Sequence, residues 1–359
     1  MSDSRFTRRD INRLALGGLA GLGSGLASRW LRAADTTPLR RAPGEENAAE
    51  PLPFVEGSWT IAALPDTQVY CERWPDHFYR QTEWIAKNKA RHDIQFVVHL
   101  GDITNRNTPE QWTVAQKAMR TLSGEVPYSL AYGNHDCGPG GNATTRDTYL
   151  NEYFPLADAR RSPALGGLLD ETRLDNSFHK FTARGNKVLV LALEWGPRDA
   201  TVEWAEKVVA AHPDHKVLLT THAYMYYDDT RYDWVKYGKQ QTWNPHSYGT
   251  AKLEGGVNDG QQLWDKMIAK HDNFFMTLNG HVLQDGLGRL TTATPAGNDV
   301  HELLVNYQMK KEGGEGFLRL VEFLPDGQTV QIKAYSPSLD AYKTDPQNQF
   351  TLQLNPGWG

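Results

Sequence analysis

Five short apolar runs, each ending in a polar residue able to bind a metal, set the pattern of this chain. Thr60-Ile61-Ala62-Ala63-Leu64 leads to Asp66-Thr67-Gln68, and Phe96-Val97-Val98-His99-Leu100 leads to Gly101-Asp102. Pro127-Tyr128-Ser129-Leu130-Ala131 leads to Gly133-Asn134-His135-Asp136. Val217-Leu218-Leu219-Thr220-Thr221 runs into His222, and Phe274-Phe275-Met276-Thr277-Leu278-Asn279 into Gly280-His281. Continuous apolar runs of this length, bounded by turn residues, read as buried strands. Residues 77–92 instead alternate at helical spacing, with Phe78, Trp84, Ile85 and Ala90 as the inner face. Further helices are predicted over residues 109–122, with Thr108 as N-cap and Pro109 in the first turn, over 201–211 and over 258–270. Two adjacent strands, 177–181 and 187–193, flank the turn Ala183-Arg184-Gly185-Asn186. Beyond His281 only strands follow, at 301–307, 316–323 and 329–335, with Asp326-Gly327 as a hairpin signal. Strand-helix-strand alternation argues for an α/β sandwich, and the last strands complete a second sheet rather than a separate domain.

Residues at the C-terminal ends of successive strands converge on one edge of a sheet, where α/β proteins place their sites. Asp66, Asp102, Asn134, His222 and His281 form a mixed oxygen and nitrogen set suited to divalent transition metals. Asn134 offers an amide oxygen, His135 can donate a proton, and Asp136 can orient that imidazole. With 359 residues, 39% hydrophobic and 23% charged, the chain suits one large globular domain or two small ones with ample core.

Charge changes the picture at the N-terminus. Arg8-Arg9 precedes a short, weakly apolar, glycine-rich stretch, which reads as a secretory signal over residues 1–34 and resembles a twin-arginine export signal. That signal predicts a periplasmic or secreted protein. Residues 35–55, rich in Pro, Ala and Glu, read as a linker to a domain over 56–359. The leader holds six Arg and two Asp, net +4, so a chain of net −5 leaves a remainder of −9. An acidic protein is a poor electrostatic match for a nucleic-acid polymer, whereas a small phosphorylated substrate neutralised by bound cations suits it. The part after the leader has no apolar run long enough to span a bilayer.

Taken together, Asp66-Thr67-Gln68, Gly101-Asp102, Gly133-Asn134-His135-Asp136, His222 and Gly280-His281 resemble the calcineurin-like metallophosphoesterase superfamily over residues 58–335. Two positions depart from the family pattern: Gln68 stands for the first His of Asp-x-His, and Leu283 for the last His of Gly-His-x-His. The resemblance implies a four-layer α-β-β-α sandwich of two mixed sheets flanked by helices. It also implies a phosphomonoester or phosphodiester hydrolase acting through metal-activated hydroxide at two metals that share Asp102. His135 is then the donor to the leaving-group oxygen. A metal-binding protein without catalysis, or a headgroup- or sugar-binding protein on the same fold, is the alternative.

Both departures fall on one metal, which predicts an unequal pair. One site, with Asp102, Asn134, His222 and His281, suits Mn, Fe or Zn. The other, with Asp66, Gln68, Asp102 and Asn105, is all oxygen and suits Mn, Mg or Ca. Three further features stay open at this point. Arg198 either reaches a phosphate oxygen or sits in a structural loop. The aromatics of residues 223–250, Tyr224 and Trp234 among them, either line a substrate rim or pack a small core of their own. Cys71 and Cys137, the only cysteines, form a disulfide if the two ligand loops meet, or are two free thiols.

Overall fold

Alternation along the strands sorts the apolar side chains into two cores. The computed structural model describes residues 49–358. In β1 (Trp59–Leu64), Trp59, Ile61 and Ala63 face one core while Ala62 and Leu64 face the other. The parallel strands β2 (Ile94–His99) and β3 (Tyr128–Leu130) extend the sheet on one side of β1. A second sheet is built from β4 (Leu165–Leu168), β5 (Ser177–Ala183), β6 (Asn186–Ala192), β7 (Lys216–Thr220), β8 (Phe274–Asn279), β9 (Leu287–Ala293) and β10 (Asp299–Val305). Its order is β4-β5-β6-β7-β8-β10-β9, with β6, β7, β8 and β10 parallel. Arg184 and Gly185 both take positive φ in the two-residue turn joining β5 to β6, as a tight hairpin requires.

The last strands divide between the sheets. β10 pairs in the second sheet, while β11 (Leu318–Phe323) and β12 (Thr329–Ser336) return to the first, antiparallel on the free side of β1. The sequence reading placed all of them in the second sheet. The returning strands alternate Leu318, Leu320 and Tyr335 toward the helices with Val321, Phe323, Val330 and Ile332 toward the other sheet, so they are buried on both sides. Short strands β13 (Ala341–Lys343) and β14 (Phe350–Gln353) close the edge against β12.

The inner core between the sheets includes Trp59, Phe96, Phe181, Phe275 and Phe323, with Phe96 stacked on Phe181 at 5.2 Å. Outside the first sheet lie the helices Pro75–Asn88 and Pro109–Arg120, burying Phe78, Ile85, Trp112 and Met119. Outside the second lie Asp199–Ala210 and Gly260–Lys266, burying Val202, Ala205, Val209 and Leu263. The result is the four-layer α-β-β-α sandwich of two seven-stranded mixed sheets.

The signal and most of the linker, residues 1–48, lie outside the described residues. The end of the linker is docked on the fold: Leu52 N donates to Gln349 Oε1 and Val55 N to Glu322 Oε1, both at 2.8 Å. Among the described residues no helix is long and apolar enough to cross a membrane.

Candidate metal centre

All five strand-tip segments come together at one end of the sandwich. Parallel pairing of β1, β2 and β3, and of β7 and β8, puts the tips at the same edge of each sheet. Asp102 turns in at φ 45°, a conformation that Asp tolerates better than most residues. Gly133 is required beside it, because a Cβ there would overlap Asp102 Oδ1 and the His222 ring.

Asp102, His222 and His281 place their ligand atoms within 4.8 Å of one another, all three buried. His222 Nδ1 donates to the Leu100 carbonyl at 2.8 Å, so its Nε2 is the nitrogen facing Asp102, 3.1 Å from Oδ1. His281 Nε2 is engaged by the Trp243 carbonyl at 2.8 Å. Asp66 accepts the His281 backbone N–H at 3.1 and 3.2 Å. Two buried amide oxygens of these loops have no hydrogen-bond partner, Gln68 Oε1 and Asn134 Oδ1, while His222 Nε2 has only the Asp102 carboxylate. Leaving a buried polar atom unpaired costs about 1–3 kcal/mol. Two carboxylates, two imidazoles and two amide oxygens of this kind fit divalent cations.

Electrostatics give the same reading. Burial pushes the Asp66 carboxyl up to about 8, with the His222 charge pulling against it and Asp102 adding to it. Burial would strip His222 of its proton, but Asp102 and then Asp66 outweigh it and hold the ring up to about 9. Burial also works to raise Asp102, and the neighbouring His222 overrides it, holding this carboxyl well below the usual range. Burial, aided by the His222 charge, pushes His281 down to about 3. In the metal-free protein near neutral pH the His222 imidazolium therefore balances the Asp102 carboxylate while Asp66 keeps its proton, and a bound cation takes over both roles.

The other expected site residues divide. His135 is half-buried at the edge of the cluster, its Nδ1 bonded to the Asn105 carbonyl at 2.8 Å. Asp136 does not orient it. Its carboxylate accepts the N–H groups of Ile103, Thr104 and Gly133 and the Thr104 hydroxyl, joining the two ligand loops from beneath. Asn105 Oδ1 accepts from Gln68 Nε2 at 3.0 Å, which leaves Gln68 Oε1 as the free oxygen of that pair. Arg198 is bound to Glu194 at 2.9 Å at the start of the helix Asp199–Ala210, the structural-loop reading. Tyr224 is fully buried beside the Arg231–Glu302 ion pair, with Arg231 Nε 3.3 Å from its hydroxyl, and so lines no rim. Trp234 stacks on His246, 5.8 Å away within the same segment. Cys71 and Cys137 are both free and buried. The Cys137 sulfur points to the Asn134 carbonyl at 3.7 Å, and both thiols pack in the helix-side core.

Residues 223–250 are packed in part, with Tyr227, Trp234, Tyr237, Trp243 and Tyr248 half-buried. Tyr224, Tyr226 and Tyr232 are buried, and Tyr232 and Tyr248 lie 6.1 Å from the His281 ring. Sequence reasoning did not single out three neighbours. Trp195 sits 4.9 Å from the His281 ring and 5.8 Å from His222. The Trp243 carbonyl holds His281, and Asn306, after β10, donates to Asp66 Oδ2 at 2.9 Å. A backbone carbonyl leaves no trace in residue identity. The signal for Asn306 was a polar residue directly following an apolar strand, the same form as the five ligand segments.

The uncharacterized protein YvnB of Bacillus subtilis (strain 168) is 26% identical over 317 residues, 85% of this chain and 22% of the relative, so the chain spans about a fifth of that protein's length. Among solved structures, a dimetal phosphatase from Danio rerio is 12% identical, covering 82% of this chain and 99% of that one at a TM-score of 0.48. Purple acid phosphatase PPD1 from yellow lupin (Lupinus luteus) seeds is 14% identical, covering 84% and 55%, also at 0.48. Residues 60–290, well over half of the chain and all five ligand segments, match the calcineurin-like phosphoesterases, and the protein belongs to that family.

Proposed function

We propose that the protein is a metal-dependent phosphoesterase that hydrolyses a phosphomonoester or phosphodiester of a small organic molecule. The observation that carries this is the buried cluster of Asp102, His222 and His281, whose ligand atoms lie within 4.8 Å of one another, with unpartnered amide oxygens of Gln68 and Asn134 on the neighbouring ligand loops. Asp102, Asn134, His222 and His281 would hold one ion, Mn, Fe or Zn. Asp66, Gln68 and Asp102 would hold the other, Mn, Mg or Ca, with Asn105 orienting the Gln68 amide. When bound, such ions neutralise phosphoryl oxygens and lower the pKa of water from 15.7 toward ~7.

The chain's own residues supply the rest. His135 donates its Nδ1–H to the Asn105 carbonyl, which leaves Nε2 free; in the imidazolium form that nitrogen carries the proton given to the leaving-group oxygen. Trp195, Tyr232 and Tyr248 surround the His281 ring and keep water from that side of the site. The remainder charge of −9 disfavours a nucleic-acid polymer and leaves a small substrate. The test is turnover of a monoester and diester panel, beginning with p-nitrophenyl phosphate and its bis-ester. Mn, Zn, Mg and Ca are added singly to stripped protein. Hydrolysis only with added metal supports the reading. Metal binding without turnover across the panel would make it a binding protein instead, and ligand binding that survives EDTA would point to a headgroup or sugar module.

The place of action proposed is the periplasm or the exterior, reached through the Arg8-Arg9 signal. Replacing both with Lys should leave the protein in the cytoplasm with its leader attached. Unchanged export would remove the twin-arginine route.

A further inference from the structure

We infer that Asn306 is a positioning residue that holds the Asp66 carboxylate for the second cation, on the side where the motif lacks its last imidazole. This rests on the two-ion reading above. Leu283, where the related motif carries its last His, cannot ligate. Nothing in the sequence motif itself compensates for that loss, but the fold brings a hydrogen-bond donor to the remaining ligand Asp66 from the loop after β10.

Asn306 is 3% exposed and Asp66 2%, and Asn306 Nδ2 donates to Asp66 Oδ2 at 2.9 Å. The orientation of the amide is determined by its other end. Gln308 N–H donates to Asn306 Oδ1 at 2.9 Å, so the oxygen is used there and the NH2 group must face the carboxylate. The backbone of Asn306 is pinned as well. Its N–H donates to the Gly286 carbonyl at 2.7 Å, and the Gly286 N–H donates to the Leu283 carbonyl at 3.2 Å. Gly286 takes φ 70°, and a Cβ there would overlap the Asn306 carbonyl. The turn that departs from the family pattern is therefore bonded directly to the residue that reaches Asp66.

The effect on Asp66 is specific. Both of its oxygens face the His281 N–H, and Oδ2 also receives the Asn306 amide. Oδ1 carries the lighter load and is the oxygen with a lone pair to spare. N–H donors favour the ionised carboxylate and fix its rotation, as the outer partners of metal ligands do. A ligand set of carboxylate and amide oxygens held this way suits a hard cation that keeps several waters.

The experiment is a Mn(II) titration of stripped full-length protein by calorimetry, with wild type expected to show a tight and a weak event. In Asn306→Ala the weak event should weaken by about 10–100-fold while the tight event stays within about threefold. The tight event is the internal control, since a general packing defect would weaken both. Equal loss of both events, no change in either, or a wild type that binds a single ion would each overturn the inference. If Asn306→Ala does not fold, Asn306→Asp keeps the shape and the acceptor for Gln308 but sets a second carboxylate against Asp66. Saturating Mn(II) should then raise its melting temperature more than it raises that of wild type, and an equal rise overturns the inference. Because the readout is metal binding, failure to hydrolyse any phosphoester would remove the proposed activity and leave this result standing.

Discussion

His135 and Asp136 are adjacent in sequence and serve different ends. The His135 ring leans on a neutral carbonyl, that of Asn105, and its second nitrogen remains available. His135→Ala should lower kcat by ~10²–10⁴-fold while sparing metal content. Asp136 accepts four donors at full burial and ties the loop after β2 to the loop after β3. Asp136→Ala strands those donors, so it should cost about 3 kcal/mol of stability and release metal as the loops part. Turnover, metal content and unfolding midpoints on the two variants check this. A His135 variant with normal turnover, or an Asp136 variant of normal stability, would undo the division of roles. In the sequence the two residues look like one acid-base pair, because proximity along the chain says nothing about which face of a turn a side chain takes.

At the scale of elements, the strands that carry ligands were legible to within a residue or two, because buried parallel strands read as continuous apolar runs. Phe274–Asn279 matches the sequence reading at both ends, and Pro109–Arg120 begins at the expected proline. β4 and β9 were not read. Leu165–Leu168 holds two glycines, and Leu287–Ala293 is an edge strand with exposed Arg289, Thr291 and Ala293. Edge strands carry weak apolar signals. Residues 223–250 show no period because they build a wall from short turns, not a regular element. Tyr232 anchors that wall by donating to the Thr242 carbonyl at 2.9 Å, one residue before the Trp243 carbonyl that holds His281. Tyr232→Phe should therefore weaken the tightly held ion by about 10-fold. Trp234→Ala, which breaks only the stack on His246, should leave metal binding unchanged. Titrations of both variants test the assignment, and equal effects would return the segment to a uniform packing role.

The whole molecule should register the site in its dependence on pH. Asp66 has a folded pKa of about 8 against an ordinary 3.8, raised by burial, so over that interval the folded state keeps a proton that the unfolded chain has lost. His222 is held up to about 9 against 6.5 by Asp102 and Asp66, and between those values it too keeps its proton only when folded. Stability falls with pH wherever the folded state binds more protons. His99 and His281, pushed down to about 3 by burial, are neutral in the folded state and have released their protons in the unfolded chain well above 6.5, so they add no slope there. From pH 7 to 9 the two raised groups thus act together, and metal-free protein should lose on the order of a few degrees in melting temperature. A bound divalent cation replaces both protons, so the metal-loaded protein should show a flat profile over the same window. Binding of the cation near pH 7 should accordingly release protons, measurable as a dependence of the calorimetric heat on the ionisation enthalpy of the buffer. Parallel profiles with and without metal, or binding without proton release, would mean that these buried groups do not face the cation at all.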